Sequence, residues 1–390
     1  MSEHVKLRDV VTVATGTTNP TRDPERRFSY VDVASVDNVA KIIREPKTLA
    51  GSEAPSRARK VIRAGDILVS TVRPNLNAVA MVPEDLDGQV ASTGFCVLRA
   101  SEDASAKYLF YFARSRRFIA GLQTLVAGAM YPAVTDGQVL DQEIPRRTLA
   151  QQEQVADLLS RAEGIVRLRL DAQRLVADLT PATFAHMFGD PATNPMDWPM
   201  VTIGDVISAA DYGSSAKASS EPVGLPMIRM GNVAYAGDLD LDDLKYVAMG
   251  PEDVERFRLL DGDILFNRTN SKELVGKTGL WDGKCDAIVA SYFIRVRVNR
   301  ELVSPTYLWS FMNSPHMKRV LFATARGAVG QANINSKELK AFPIPLPPID
   351  LQHTFEEGYK AFADLASQQR TAHGKAEATF EALLARTFPE

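Results

Sequence analysis

Apolar residues recur at three- and four-residue intervals over two long stretches of the chain. In the first, Val155, Leu158, Ala162, Ile165, Ala172, Val176 and Leu179 line one seam, with Arg169 interrupting it. That spacing predicts a long helix with a single buried face. Thr148-Leu149-Ala150-Gln151 precedes it in the Thr-x-x-Gln form of a capping box. In the second stretch, Phe355, Tyr359, Phe362, Ala366, Gln369, His373, Ala376, Phe380 and Leu383 follow the same rule. Asp350, directly after Pro347-Pro348, is its expected N-cap. Roughly 30–40 helical residues would reach about 45–60 Å at ~1.5 Å per residue, so both seams need something to bury against. If the helices pair antiparallel, Arg169, Gln369 and His373 meet in mid-seam. They then either form a polar layer that fixes register, or Arg169 turns its charge out to water.

Between these stretches the pattern shortens. Residues 66–72 read as a β-strand, and 292–298 alternate apolar with polar or charged residues, as in a strand with one solvated face. Residues 106–118 and 305–320 read as short helices. These elements occur twice because the chain itself repeats. Gly65-Asp66-Ile67-Leu68 returns as Gly262-Asp263-Ile264-Leu265, Tyr108-Leu109 as Tyr307-Leu308, Phe112 as Phe311 and Ser115 as Ser314. Gly128-Ala129 returns as Gly327-Ala328, Ile144-Pro145 as Ile344-Pro345, and Gln152 as Gln352. The matches stay collinear along the chain, so this is one module written twice rather than a solenoid. The expected fold is α+β: two homologous mixed α/β domains joined by two long antiparallel helices with pseudo-twofold symmetry. The expected boundaries are 1–147 for the first domain, 148–195 for the first helix and junction, 196–348 for the second domain and 349–390 for the second helix.

Composition narrows the class. Of 390 residues, 45% are hydrophobic and 24% charged, an ordinary globular balance that excludes a disordered or collagen-like chain. Cys96 and Cys285 are too few for a disulfide framework or a four-thiolate zinc site. The opening Met1-Ser2-Glu3-His4-Val5-Lys6 has no apolar signal region and no run of 18 apolar residues follows, so a cytoplasmic protein without a membrane span is expected. The net charge of -3 does not announce a nucleic-acid binder, but residues 150–190 carry -2 and 350–390 carry -3, leaving +2 for the rest.

Catalytic signatures are incomplete or absent in the sequence. Gly276-Lys277-Thr278 ends like a phosphate-binding loop, yet Ser271 stands where its first glycine belongs, and a tight hairpin turn is expected. No Asn/Asp-Pro-Pro-aromatic corner or Gly-x-Gly-x-x-Gly loop supports methyl transfer or dinucleotide binding, and no Gly-x-Ser-x-Gly elbow occurs. His4, His186, His316, His353 and His373 lack zinc spacing. Asp282-Gly283-Lys284 reads as a polar turn and Cys96 as a buried core thiol. Two similar modules without catalytic signatures suit a bipartite DNA target. Candidate readers follow each Gly-Asp-Ile-Leu strand: Arg73, Asn75 and Asn77 in the first half, and Asn267, Arg268, Asn270 and Lys272 in the second. A second pair of loops adds Tyr131, and Arg326, Gln331 and Asn333. Arg and Asn can bond base edges in bidentate fashion, while Lys favours phosphates. For any one of these residues, a plain solvated loop is an equal possibility. The basic tracts 22–27 and 57–60 read as ordinary surface.

The layout resembles the specificity (S) subunit of type I restriction–modification systems. The likeness is carried by the duplicated Gly-Asp-Ile-Leu strand with its following Arg and by Ile-Pro-Leu-Pro-Pro-Ile-Asp-Leu-Gln at 344–352. It is carried too by Phe184-Ala185-His186-Met187-Phe188-Gly189-Asp190-Pro191 with Trp198 at the junction, and by the repeat itself. Ile144-Pro145-Arg146-Arg147-Thr148 lacks the double proline, which leaves the start of the first helix less defined. The resemblance implies two target-recognition domains, each reading half of a bipartite asymmetric site in double-stranded DNA, with the paired helices as a ruler. It implies a non-catalytic chain on which two adenine-methylating M subunits dock and which R subunits can join. S-adenosylmethionine, ATP and Mg would then belong to those partners and not to this chain. Other readings stay open at this point: the recognition subunit of a related methyltransferase without a separate nuclease, a self-contained enzyme with an unfamiliar site, and a helical assembly scaffold.

Overall fold

A computed structural model describes residues 4–12, 16–126, 132–325 and 332–389. The chain falls into two compact units, one formed by 1–170 with 371–390 and the other by 171–370. Both long helices therefore begin in one unit and end in the other.

In the first unit, an antiparallel sheet runs in the order Val11–Thr12, Phe95–Ala100, Ile67–Ser70, Val79–Met81. A second sheet runs Lys47–Ala50, Arg27–Val31, Val90–Ser92, Ala58–Val61, with its middle pair parallel. The strand Ile67–Ser70 is buried throughout because both faces are covered. Ile67 and Val69 enter one core, with Cys96, Leu98, Tyr108 and Phe112, while Leu68 enters another, with Phe95 and Val97. Alternation between two apolar environments explains why this strand reads as a continuous apolar run. The second unit repeats the device: Ile264 and Phe266 face one core, Leu265 and Phe293 another. Its main sheet runs Ile207–Tyr212, Phe293–Val298, Ile264–Asn267, Thr278–Leu280.

Three expectations need correction here. The polar face of Phe293–Val298 is only partly solvated: Arg297 is half-buried, and Arg295 is 5% exposed and donates to the carbonyls of Arg256 (3.0 Å) and Arg258 (2.8 Å). The patches 106–118 and 305–320 are each two helices, Ala106–Arg114 with Arg116–Gln123 and Pro305–Asn313 with Pro315–Thr324. Ser115 and Ser314 break them by capping: the Ser115 hydroxyl accepts from the Phe118 amide at 3.3 Å, and that of Ser314 from Met317 at 3.2 Å. Asp350 lies inside the first turn of the second long helix, Ile349–Thr387, rather than capping it.

The first long helix spans Leu149–Phe188, and Thr148 and Gln151 form the expected capping box, at 3.0 and 3.3 Å. Its buried stripe is rotated from the expected seam in the first unit. Gln152, Ala156 and Leu159 are buried, whereas Leu158 is 50% and Ile165 52% exposed. Polar contacts set this phase. The Gln152 amide accepts from the Ser105 N–H at 2.9 Å and donates to the Arg147 carbonyl, while the Tyr111 hydroxyl meets Ser160 and Glu163. Arg169 is exposed. The second helix follows its expected seam, with Phe355 and Phe380 buried and the intervening seam positions half-buried. In the second unit Gln173 donates to the Gln369 carbonyl at 3.3 Å, and in the first His373 lies 3.5 Å from Glu377.

The remaining turns agree with the sequence. Gly276 has φ +80° in the hairpin joining Ile264–Asn267 to Thr278–Leu280, and Lys277 donates to the Met230 carbonyl instead of waiting for a phosphate. Gly283 has φ +68° in the Asp282–Lys284 turn. Cys96 is a core thiol whose burial pushes its pKa up to about 12.

Candidate nucleic-acid interface

The duplicated Gly-Asp-Ile-Leu motif is scaffold. Gly65 and Gly262 turn at φ +81° and +86°, and each following aspartate closes that turn through a backbone amide, Arg63 N or Leu260 N. Asp66 then takes a bidentate pair of bonds from Arg99 at 2.8 and 2.7 Å, and Asp263 from Arg297 at 2.9 and 3.3 Å. Buried carboxylates need such partners. The strand that launches each candidate loop is thereby fixed at its start.

At the other end of that strand, each unit brings the two candidate loop regions together. In the first unit Arg73 N donates to the Pro132 carbonyl (2.8 Å) and Val134 N to Thr71 (2.9 Å). In the second, Thr269–Asn270 pairs with Ala332–Asn333, and Ile334 N donates to the Arg268 carbonyl (3.0 Å). Tyr131, Arg326 and Gln331 lie outside the described residues.

The side chains on these paired segments differ in what they present. Arg73 (φ +48°) and Asn75 are exposed. Asn77 is turned inward: its amide donates to the Ala113 carbonyl at 3.0 Å and accepts from the Lys41 ammonium at 2.7 Å. Burial, together with nearby Arg114, depresses Lys41 to about 8. Asn267 is 0% exposed, donating to the Tyr292 carbonyl and accepting from Asn270 at 2.9 Å. Asn77, Asn267 and Asn270 thus brace the loops, and the expectation that they face a base gives way to these internal bonds. Lys272 is exposed, its ammonium 4.6 Å from the centre of the Phe322 ring. Asn333 is exposed beside Thr269. Arg268 is half-buried, with its guanidinium 4.6 Å from the centre of the Tyr212 ring.

Sequence reasoning missed two parts of this surface. Tyr212, 45% exposed, ends the strand Ile207–Tyr212 and borders an open cleft of about 510 Å³ lined also by Ser214, Ser215, Arg256 and Phe257. Lys318 sits 4.8 Å from the centre of the Tyr235 ring and is depressed to about 8 by burial and by neighbouring Lys277. An aromatic at the exposed end of a strand was the available signal for Tyr212. The tract 22–27 is exposed, but Lys60 is held by the Phe95 carbonyl and Asp136. Among the described residues, no group of three or more His, Cys, Asp and Glu side chains could hold a metal ion, and no helix is long and apolar enough to cross a membrane.

Comparison with known proteins bears on the same two units. The profile of the type I restriction modification DNA specificity domain matches residues 195–371. The putative type I restriction enzyme MjaX specificity subunit of Methanocaldococcus jannaschii is 31% identical over 160 residues, which are 40% of this chain and 37% of that protein. The EcoKI specificity subunit of Escherichia coli K12 is 24% identical over 314 residues, 75% of this chain and 67% of that one. A solved structure concerned with assembly and conformational transition of a type I restriction–modification system superimposes with TM-score 0.64 at 29% identity, covering 99% of this chain and 97% of that chain. The type I S subunit of M. genitalium shares the fold, with TM-score 0.58 at 12% identity over 100% of this chain and 96% of that one.

Proposed function

We propose that the chain is a specificity subunit of a type I restriction–modification system, the DNA-reading, non-catalytic subunit of such a complex. Residues 1–147 and 196–348 are its two target-recognition domains, each reading one half of a bipartite, asymmetric double-stranded site. The observation that carries this is the recurrence of one launch device, a glycine turn, a buried Asp–Arg pair and a strand, under two loops with different exposed side chains. A common scaffold under unlike readers is what a two-part asymmetric target requires.

In this reading Arg73, Asn75, Arg268, Lys272 and Asn333 meet DNA. Arg268 and the asparagines suit base edges, and Arg73 and Lys272 suit phosphate. Two adenine-methylating M subunits dock on the long helices, where Leu158, Ile165 and Leu168 of the first unit and Leu175 of the second are left exposed at 50%, 52%, 69% and 69%. Apolar side chains at helical spacing suit a protein partner better than phosphates. S-adenosylmethionine, ATP and Mg act in the M and R subunits, and the complex works in the cytoplasm. The test is a genome-wide map of methylated adenine in cells with and without this gene. Loss of one motif with a fixed gap between its halves supports the reading; a methylation pattern unchanged by deletion refutes it.

A further inference from the structure

A long arginine side chain discriminates bases well only if its guanidinium is oriented before DNA arrives, because freezing its torsions otherwise opposes binding. In the second unit that orientation is already built. The Arg268 main chain is tied on both sides, its N–H to the Tyr292 carbonyl at 2.9 Å and its carbonyl to the Ile334 N–H at 3.0 Å. Its guanidinium carbon lies 4.6 Å from the centre of the Tyr212 ring, within stacking and cation–π range. The ring is itself held, since Tyr212 pairs with Ile294 in the sheet and its hydroxyl accepts from the Ser336 N–H at 3.3 Å. The buried Nε of Arg268 has no hydrogen-bond partner among the described residues, so the guanidinium addresses its surroundings through its terminal nitrogens. Nor does Arg268 form an ion pair among those residues, whereas Arg295 and Arg297 of the same unit are held by aspartates.

We propose that Tyr212 is a positioning residue that presents the Arg268 fork to a guanine in the major groove, making this pair a specificity determinant of one half-site. Two terminal N–H donors match the O6 and N7 acceptors of guanine, while adenine offers an N6 donor where the second acceptor should be. The inference rests on the DNA-recognition reading above, and its test keeps the two separable.

The test compares methylated-adenine maps from cells carrying the complete complex with the wild-type chain, Tyr212→Ala, Tyr212→Phe or Arg268→Lys. The wild-type map should show a guanine in one half of the motif. Tyr212→Ala and Arg268→Lys should each lower preference for that guanine about tenfold or more, leaving the other half unchanged. Tyr212→Phe, which keeps the ring, should retain it. Wild-type preference at every position in Tyr212→Ala or in Arg268→Lys would overturn the proposal. So would an equal fall across all sequences, which marks a phosphate contact or a purely structural role. A wild-type map with no motif dependent on this chain would overturn the DNA-recognition reading itself and the proposal with it.

Discussion

The two units agree where they are buried and differ where they are exposed. Tyr108 and Tyr307 donate their hydroxyls to the carbonyls of Pro145 and Pro345 at 3.0 and 2.6 Å. Gln152 and Gln352 accept from the amides of Ser105 and Ser304, both at 2.9 Å, and donate to the carbonyls of Arg147 and Pro347. Beyond the shared strand this agreement stops. Arg73 stands exposed in a left-handed turn, whereas Arg268 precedes the short ladder of Thr269–Asn270 with Ala332–Asn333 and lies over the Tyr212 ring. The difference teaches that internal polar bonds hold the module while the loops above them are free to take separate tasks.

The largest test of this comparison is to break the shared scaffold in each unit. Asp263→Ala removes the carboxylate that pairs Arg297 and approaches Arg295, and Asp66→Ala removes the carboxylate that pairs Arg99; each should destabilise its unit by about 3–5 kcal/mol. Denaturant unfolding would show it, and a loss below ~1 kcal/mol in either would separate the units. Gln152→Ala and Gln352→Ala should cost less and about equally, ~1–3 kcal/mol each, because each leaves a buried amide and carbonyls unpaired.

A sharper contrast lies in the loops. Arg268→Ala should relax selection at one base pair, whereas Arg73→Ala, which removes an exposed charge, should weaken binding to all sequences and flatten its salt dependence. Competition binding of the complex at several salt concentrations distinguishes the two, and identical behaviour would erase the contrast. The smallest expected effect is that of Arg169→Leu. With Arg169 exposed, stability should move by no more than about 0.5 kcal/mol. A loss of several kcal/mol on unfolding would restore the polar layer in mid-seam.

The repeat, the two long helices and the Gly276 and Asp282–Lys284 turns were legible in the sequence because each depends on local spacing or on a residue that fixes its own backbone. The second helix kept its expected seam, since Phe355, Tyr359 and Phe380 are large and apolar enough to set its phase. The first did not, because Gln152, Ser160 and Glu163 fix its rotation through hydrogen bonds that hydrophobic spacing does not register. The launch strands and the pairing of the two loop regions within each unit were approachable from the duplication. The inward turn of Asn77 and Asn267 was not, because their partners, Lys41, Ala113 and Tyr292, are distant in sequence. The same distance hid the meeting of Tyr212 with Arg268.

The central claim is that each unit reads one half of a bipartite site. Its most direct test replaces residues 1–147 with the matching segment of a specificity subunit of different target and maps methylated adenine in cells carrying the complete complex. The account predicts a motif in which one half has changed while the other half and the gap remain. A motif changed in both halves, or in neither, would contradict it.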